Sequence, residues 1–214
     1  MTNATTQEAV RGRRRGFDRQ QALETAMDLF WEHGYEATSV SQLCAGMGIN
    51  PPSLYAAFGS KSQLFLDVVE YYERTFWAPV WDTFESEARI VPAVRRFLDD
   101  TVDVVSAPGA RLGCLVTLSR VSLRERDTDV SCALAAIGED GLRRTRARLD
   151  FGVRDGQIPA GTDTLTLAIA IGMTVDGLAI RAHDGVPPDE LRRLVVTMMP
   201  MIPTSERGSG GQEP

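Results

Sequence analysis

The sequence predicts an all-α protein of about nine helices, with an N-terminal three-helix helix-turn-helix domain ahead of a larger C-terminal helical domain. Three observations predict it. Apolar residues recur at three- and four-residue spacing along most of the chain. Residues that cap helices (Asp18, Ser39, Asn50, Ser60) stand directly before such runs. The one stretch that alternates like a strand, residues 165–171, has no partner strand, and its apolar run is longer than a typical strand. At 214 residues the chain suits one large or two small domains. Its 43% hydrophobic and 24% charged residues exclude a disordered polypeptide.

Each element can be justified in order. Asp18 opens the first helix as a cap, Gln21 can reach back to it and Phe17 can staple onto Ala22. Ala22, Ala26, Leu29 and Phe30 then form one apolar face until Gly34 stops it, which places the helix at about 18–33. Ser39 and Gln42 repeat the capping pattern and open a short helix to about 47, with Val40, Leu43 and Cys44 inward and Gly48 as the left-handed turn residue. Asn50 caps a third helix that starts with Pro51 and Pro52, which lack only N–H groups that the first turn leaves unpaired anyway, and that ends by Phe58. Ser60 and Gln63 open a fourth at 61 to about 87, with a kink expected at Pro79.

Further helices are predicted at 92–105, 112–123, 130–154, 163–183 and 188–199. Turn residues at Pro108-Gly109, Asp155-Gly156 and Asp184-Gly185 separate them. The helix over 163–183 is expected to be buried on most sides. Residues 204–214 are expected to be a disordered tail.

Composition narrows the function classes. The longest apolar stretch, residues 165–175, falls short of the roughly 20 residues that a membrane span needs, and the N-terminus lacks an apolar export segment. A cytoplasmic protein without a membrane partner is expected. Three cysteines (Cys44, Cys114, Cys132) at wide spacing give neither a disulfide framework nor a zinc or redox pair. Two distant histidines, and the lack of a nucleophile elbow, phosphate loop or dinucleotide fingerprint, argue against an enzyme. No cofactor, metal or catalytic residue is expected.

The net charge of -6 argues against a polyanionic partner. Its distribution argues otherwise, because residues 1–61 hold six basic and six acidic groups and the whole excess lies beyond them. Within the first segment the basic residues cluster at Arg11–Arg19 and at Lys61. A local basic face is therefore compatible with the global sign.

The stretch TSVSQLCAGMGINPPSLYAAFGSKSQLF, preceded by a helix ending in Phe30-x-x-x-Gly34-Tyr35, resembles the DNA-binding domain of TetR-type (tetracycline-repressor-like) transcriptional regulators. Gly34, Tyr35, Thr38, Gly48, Ser53, Leu54, Tyr55, Phe58 and Lys61 fit that pattern together, and the match covers about residues 17–65. The resemblance implies that the third helix enters the major groove and presents Pro51, Pro52, Ser53 and Tyr55. The prolines cannot donate hydrogen bonds, so their natural role is apolar contact with thymine methyls. Tyr55 suits a phosphate contact as well as a half-buried place against the first helix; the resemblance favours the phosphate.

Lys61, in the first turn of its helix, opposes the macrodipole and gains nothing there unless a phosphate binds. Thr38, Ser39 and Ser41 offer a similar site, or simply cap. Arg13, Arg14 and Arg15 suit an arm in the minor groove. Ala56, Ala57 and Gly59 depart from the commoner family pattern.

The resemblance further implies a homodimer on a palindromic double-stranded operator, acting as a repressor that a small, largely apolar inducer releases. Half-sites about 34 to 36 Å apart require a fixed dimer. Helices 130–154 and 163–183 are the candidate interface, and Arg143, Arg144, Arg146 and Arg148 are read as a solvated or rim face. For the inducer site, Phe76, Trp77, Trp81 and Phe84 suit a pocket as well as a core. Leu118 and Met173 are further candidate lining residues. Asp176 and His183, seven apart on one helical face, could serve as polar contacts or as plain surface groups. Cys114, in a Gly-Cys-Leu setting similar to that of some electrophile-sensing members, is read as buried and inert first and as redox-active second. The chain thus divides into an arm (1–16), a DNA-binding domain (17–60), a ligand-binding and dimerisation domain (61–203) and a tail (204–214).

Overall fold

The computed structural model describes residues 18–107, 112–123 and 128–205. The Phe17 staple, the Arg13–Arg15 arm and nearly all of the tail lie outside the described residues. Among the described residues the fold is all-helical: α1 Arg19–His33, α2 Val40–Met47, α3 Pro51–Phe58, α4 Lys61–Tyr72, a π-helical turn Glu73–Trp77, α5 Ala78–Ser86, α6 Ile90–Val105, α7 Leu115–Ser122, α8 Thr128–Arg154, α9 Thr164–His183, α10 Pro188–Met198 and a closing 3-10 turn Met199–Met201. Because α4, the π turn and α5 run on without a break, the ten α-helical stretches form nine rods.

The caps are those that the residue types dictate. Asp18 accepts from the N–H groups of Gln20 and Gln21, Asn50 from Ser53, and Ser60 from Gln63 at 3.0 Å. Ser39 and Gln42 form a reciprocal capping box. Gly48 takes the left-handed conformation (φ 67, ψ 30) that turns α2 into α3 and that a Cβ would strain.

Three boundaries differ from expectation. The rod 61–86 loses its α geometry at 73–77 instead of breaking at Pro79, because a proline near the start of α5 supplies no N–H and the chain adopts i+5 pairing upstream, with Ala78 N–H donating to Glu73 O. The next helix begins at Ile90, ahead of Pro92, since proline is tolerated in a first turn; the Ile90 N–H donates to Gln157 Oε1 at 2.8 Å. α7 begins at Leu115 and not at 112, because Gly113 sits at φ 91 and its N–H donates to Val105 O.

In the head, Phe30, Leu43, Leu54, Leu64 and Phe65 are fully buried, and Phe30 meets Phe65 edge-on with centroids 5.0 Å apart. Trp31 packs edge-on against Tyr72 at 5.0 Å and so joins α1 to the long rod. In the body, Phe97 of α6 lies 4.8 Å from Trp81 and 4.7 Å from Phe84 of α5. α6 and α8 approach closely at Gly152, where a Cβ would run into Ile90.

Arg148 is not a rim residue. It is buried, and its guanidinium donates to the carbonyls of Phe84 and Glu87, closing the C-terminal end of α5 against α8. α9 is helical, as expected, but it is not buried on most sides. Leu165, Ile169, Met173 and Ile180 stand exposed along it, although it packs on α6, α7, α8 and α10.

Candidate nucleic-acid interface and ligand cavity

The head presents α3 outward. Leu54 and Phe58 anchor it in the core while Pro51, Pro52 and Ser53 face solvent. Tyr55 is 49% exposed, and among the described residues its hydroxyl makes no hydrogen bond. Ser39 and Ser41 are exposed at the start of α2, although the Ser39 hydroxyl is shared with the cap. Lys61 lies beside this face, its ammonium 4.6 Å over the Tyr35 ring and donating to Glu36 O at 3.2 Å, so the side chain is held in place.

Thr38 departs from the group. It is fully buried, and its hydroxyl reaches Gly34 O at 2.7 Å and Leu29 O at 3.3 Å, which ties the end of α1 to α2 and turns the hydroxyl inward. Arg19, counted in the basic cluster, is paired with Asp67 at 2.5 Å and stacked on Phe58.

The body carries an open-sided cavity of about 1330 Å³ between the long rod, α6, α7, α8 and α9. Trp77, Trp81, Cys114, Met173 and Asp176 line it, as expected. Phe84 and Leu118 do not. Phe84 is fully buried behind Trp81 and Phe97, and Leu118 packs towards Gly113. His183 is not brought to Asp176, since its ring faces Leu112 O at 3.4 Å, away from the cavity. Asp176 instead accepts a hydrogen bond of 2.9 Å from Thr117.

Cys114 is fully buried, and that burial pushes its thiol above the ordinary range. Trp77 Nε1 donates to the Tyr72 hydroxyl at 2.9 Å, and Tyr72 lies beside Cys114. A thiol so placed is a poor nucleophile.

Sequence reasoning missed Glu73, Arg120 and Arg144. Burial pushes Glu73 up to about 7, with Arg144 opposing the shift and Asp140 adding to it. Its signal was available: Val69, Glu73, Trp77 and Trp81 are four apart, a carboxylate set into an apolar stripe. Arg144 lies 4.4 Å over the Trp81 ring and pairs with Glu85 at 2.6 Å. Gly141 and Gly138 of α8 leave room for Trp81 and Arg120.

A second surface stands out on the body. Leu165, Ile169, Met173 and Ile180 of α9, with Phe151 of α8, are exposed apolar residues, Ile169 and Met173 also lining the cavity, and among the described residues nothing packs on Gly172 or Gly177.

A capped helix-turn-helix head that presents an exposed recognition helix, carried on a helical body with a large cavity, is the architecture of a DNA-binding transcriptional regulator. Residues 22–68 match the family described as bacterial regulatory proteins, tetR family. The HTH-type transcriptional repressor ComR of Escherichia coli (strain K12) is 29% identical over 90% of this chain and 92% of its own length. The TetR family transcriptional regulator CifR, in a cysteine-substituted form on 26 bp operator DNA, is 35% identical, with 90% of this chain and 100% of that one covered and a TM-score of 0.83. A TetR regulator from Rhodococcus sp. RHA1 is 34% identical over 87% of this chain and 100% of its own, with a TM-score of 0.60. The chain belongs to the TetR family of transcriptional regulators.

Proposed function

We propose that the protein is a dimeric repressor that binds a palindromic operator and is released from it by a small, largely apolar inducer. The observation that carries this reading is the shared rod. α4 packs on α1 in the head, while the π turn and α5, its direct continuation, wall the cavity. A molecule that fits one arrangement of the rod better than another shifts the spacing of two heads, and a coupling of about 1 to 3 kcal/mol changes DNA affinity roughly 5- to 150-fold.

The apolar stripe on α8 and α9 supports dimerisation, since water-exposed leucine, isoleucine and methionine in a line favour a partner's matching face. The two open glycines allow the helices of two copies to approach closely. Pro51, Pro52 and Ser53 are assigned to the groove face, Ser39, Ser41, Tyr55 and Lys61 to phosphates, and Arg13–Arg15 to the neighbouring minor groove. The division into an arm to 16, a head to 60 and a body to 203 follows from these roles. The relatives named above, a repressor and a regulator on operator DNA, support the same reading.

The test is titration of the protein onto a labelled duplex carrying the DNA upstream of its own gene, at two salt concentrations, with scrambled duplex as competitor. Salt-sensitive binding that survives the competitor is expected. Binding that is equally strong on scrambled DNA would sink the reading.

A further inference from the structure

We propose that the cavity takes a mostly apolar ligand bearing one positive charge, an amine or quaternary ammonium, and that Glu73 is its counter-ion. This rests on the reading of the cavity as the inducer site. Glu73 projects from the π turn into the cavity wall, and among the described residues its carboxylate accepts no hydrogen bond and forms no ion pair within contact distance. Glu73 is half-buried there, and the apolar surroundings disfavour its charged form unless a cation completes it.

The other charged groups on the wall do not complete it. On its own rod, Glu70 is acidic and Arg74 is exposed, stacked on Tyr71 at 5.8 Å. From α7, Arg120 lies exposed at the rim over Gly138 and is not among the charges acting on Glu73. From α8, Arg144 is bound to Glu85, Asp140 is paired with Arg143, and Glu139 is exposed. From α9, Asp176 is held by Thr117.

The wall therefore presents five acidic and three basic residues, and the base closest in effect to Glu73 is already engaged. An anionic ligand would meet uncompensated like charge. A cationic one meets Glu73 together with the indole rings of Trp77 and Trp81, and the Arg144 guanidinium already stacked on Trp81 demonstrates that this aromatic wall accepts a cation. Near neutral pH Glu73 is about half protonated, so a fixed cation displaces its proton to solvent on binding.

The test uses the full chain and three probes of equal length: decyltrimethylammonium, decanol and decanoate, titrated calorimetrically. The cation is expected to bind roughly tenfold tighter than decanol, with decanoate weakest. Its affinity is expected to rise about tenfold from about pH 6 to about pH 8, following the ionised fraction of a group near 7, and to release about half a proton at neutral pH. Glu73→Gln is expected to abolish both the pH dependence and the proton release while leaving decanol binding unchanged. If that variant fails to fold, the wild-type proton count decides alone. Decanol or decanoate binding as tightly as the cation, with no proton released, overturns the counter-ion and leaves the cavity as a ligand site. Failure of all three probes to bind overturns both.

Discussion

Thr38 and Tyr55 occupy the same small head and predict opposite outcomes when truncated. Thr38→Ala removes a buried donor from two carbonyls, so it is expected to cost about 1 to 2 kcal/mol in urea unfolding. Tyr55→Ala removes a half-exposed ring with a free hydroxyl, and it is expected to leave the unfolding midpoint in place while weakening operator binding several-fold. A Thr38 variant of wild-type stability, or an unfolded Tyr55 variant, would reverse the two roles. Spacing alone placed both residues at the start of helices; burial of Thr38 depends on where the end of α1 comes to rest, which no local pattern encodes.

Glu73 carries a pH signature at the same scale. Its folded-state value of about 7 lies above the ordinary 4.5, so the folded chain holds the proton more tightly between these values and stability falls as pH rises through them. Below both values the carboxyl is neutral in either state and the difference vanishes. Glu73→Gln is therefore expected to melt higher than the wild type at pH 8 and alike at pH 4; equal melting at both would refute the shift.

At the scale of elements, the rods that start at Asp18, Ser39, Asn50, Ser60 and Asp163 were legible because each start carries its own side-chain cap, and such signals lie within four residues of the boundary they set. What escaped was decided over long distances. Ile90 can begin α6 ahead of a proline because Gln157, from the turn after α8, takes up its N–H. The π turn is likewise a response to Pro79 within a rod already pinned at one end by Tyr72 and at the other by Phe84. The crossing of α6 and α8 gives the sharpest element-level prediction. Gly152→Ala places a methyl against Ile90 and is expected to cost about 1 to 3 kcal/mol in chemical denaturation, with helix content retained in the native state. An unchanged denaturation midpoint would mean that the two helices are farther apart than described.

For the whole molecule, the proposed assembly rests on the exposed stripe of α9. Ile180→Glu puts a charge on that face outside the cavity lining, and it is expected to shift the protein to a monomer in sedimentation and to reduce operator affinity at least tenfold, since one head alone spans a half-site. A variant that still sediments as a dimer would move the interface elsewhere. The aromatic half of the cavity was legible as bulk on one helix. Of its polar half Asp176 was named, whereas Glu73 shows in the sequence only as a carboxylate set into an apolar stripe, and whether it faces solvent or cavity is decided by α8 packing across it.

The three tryptophans, Trp31, Trp77 and Trp81, all fall on one side of the protein's division of labour. Trp31 reports the joint between head and rod, and the other two look into or onto the cavity wall. None lies on α8, α9 or α10. The protein thus carries a built-in optical reporter: its tryptophan emission is expected to change when the cavity fills or the joint moves.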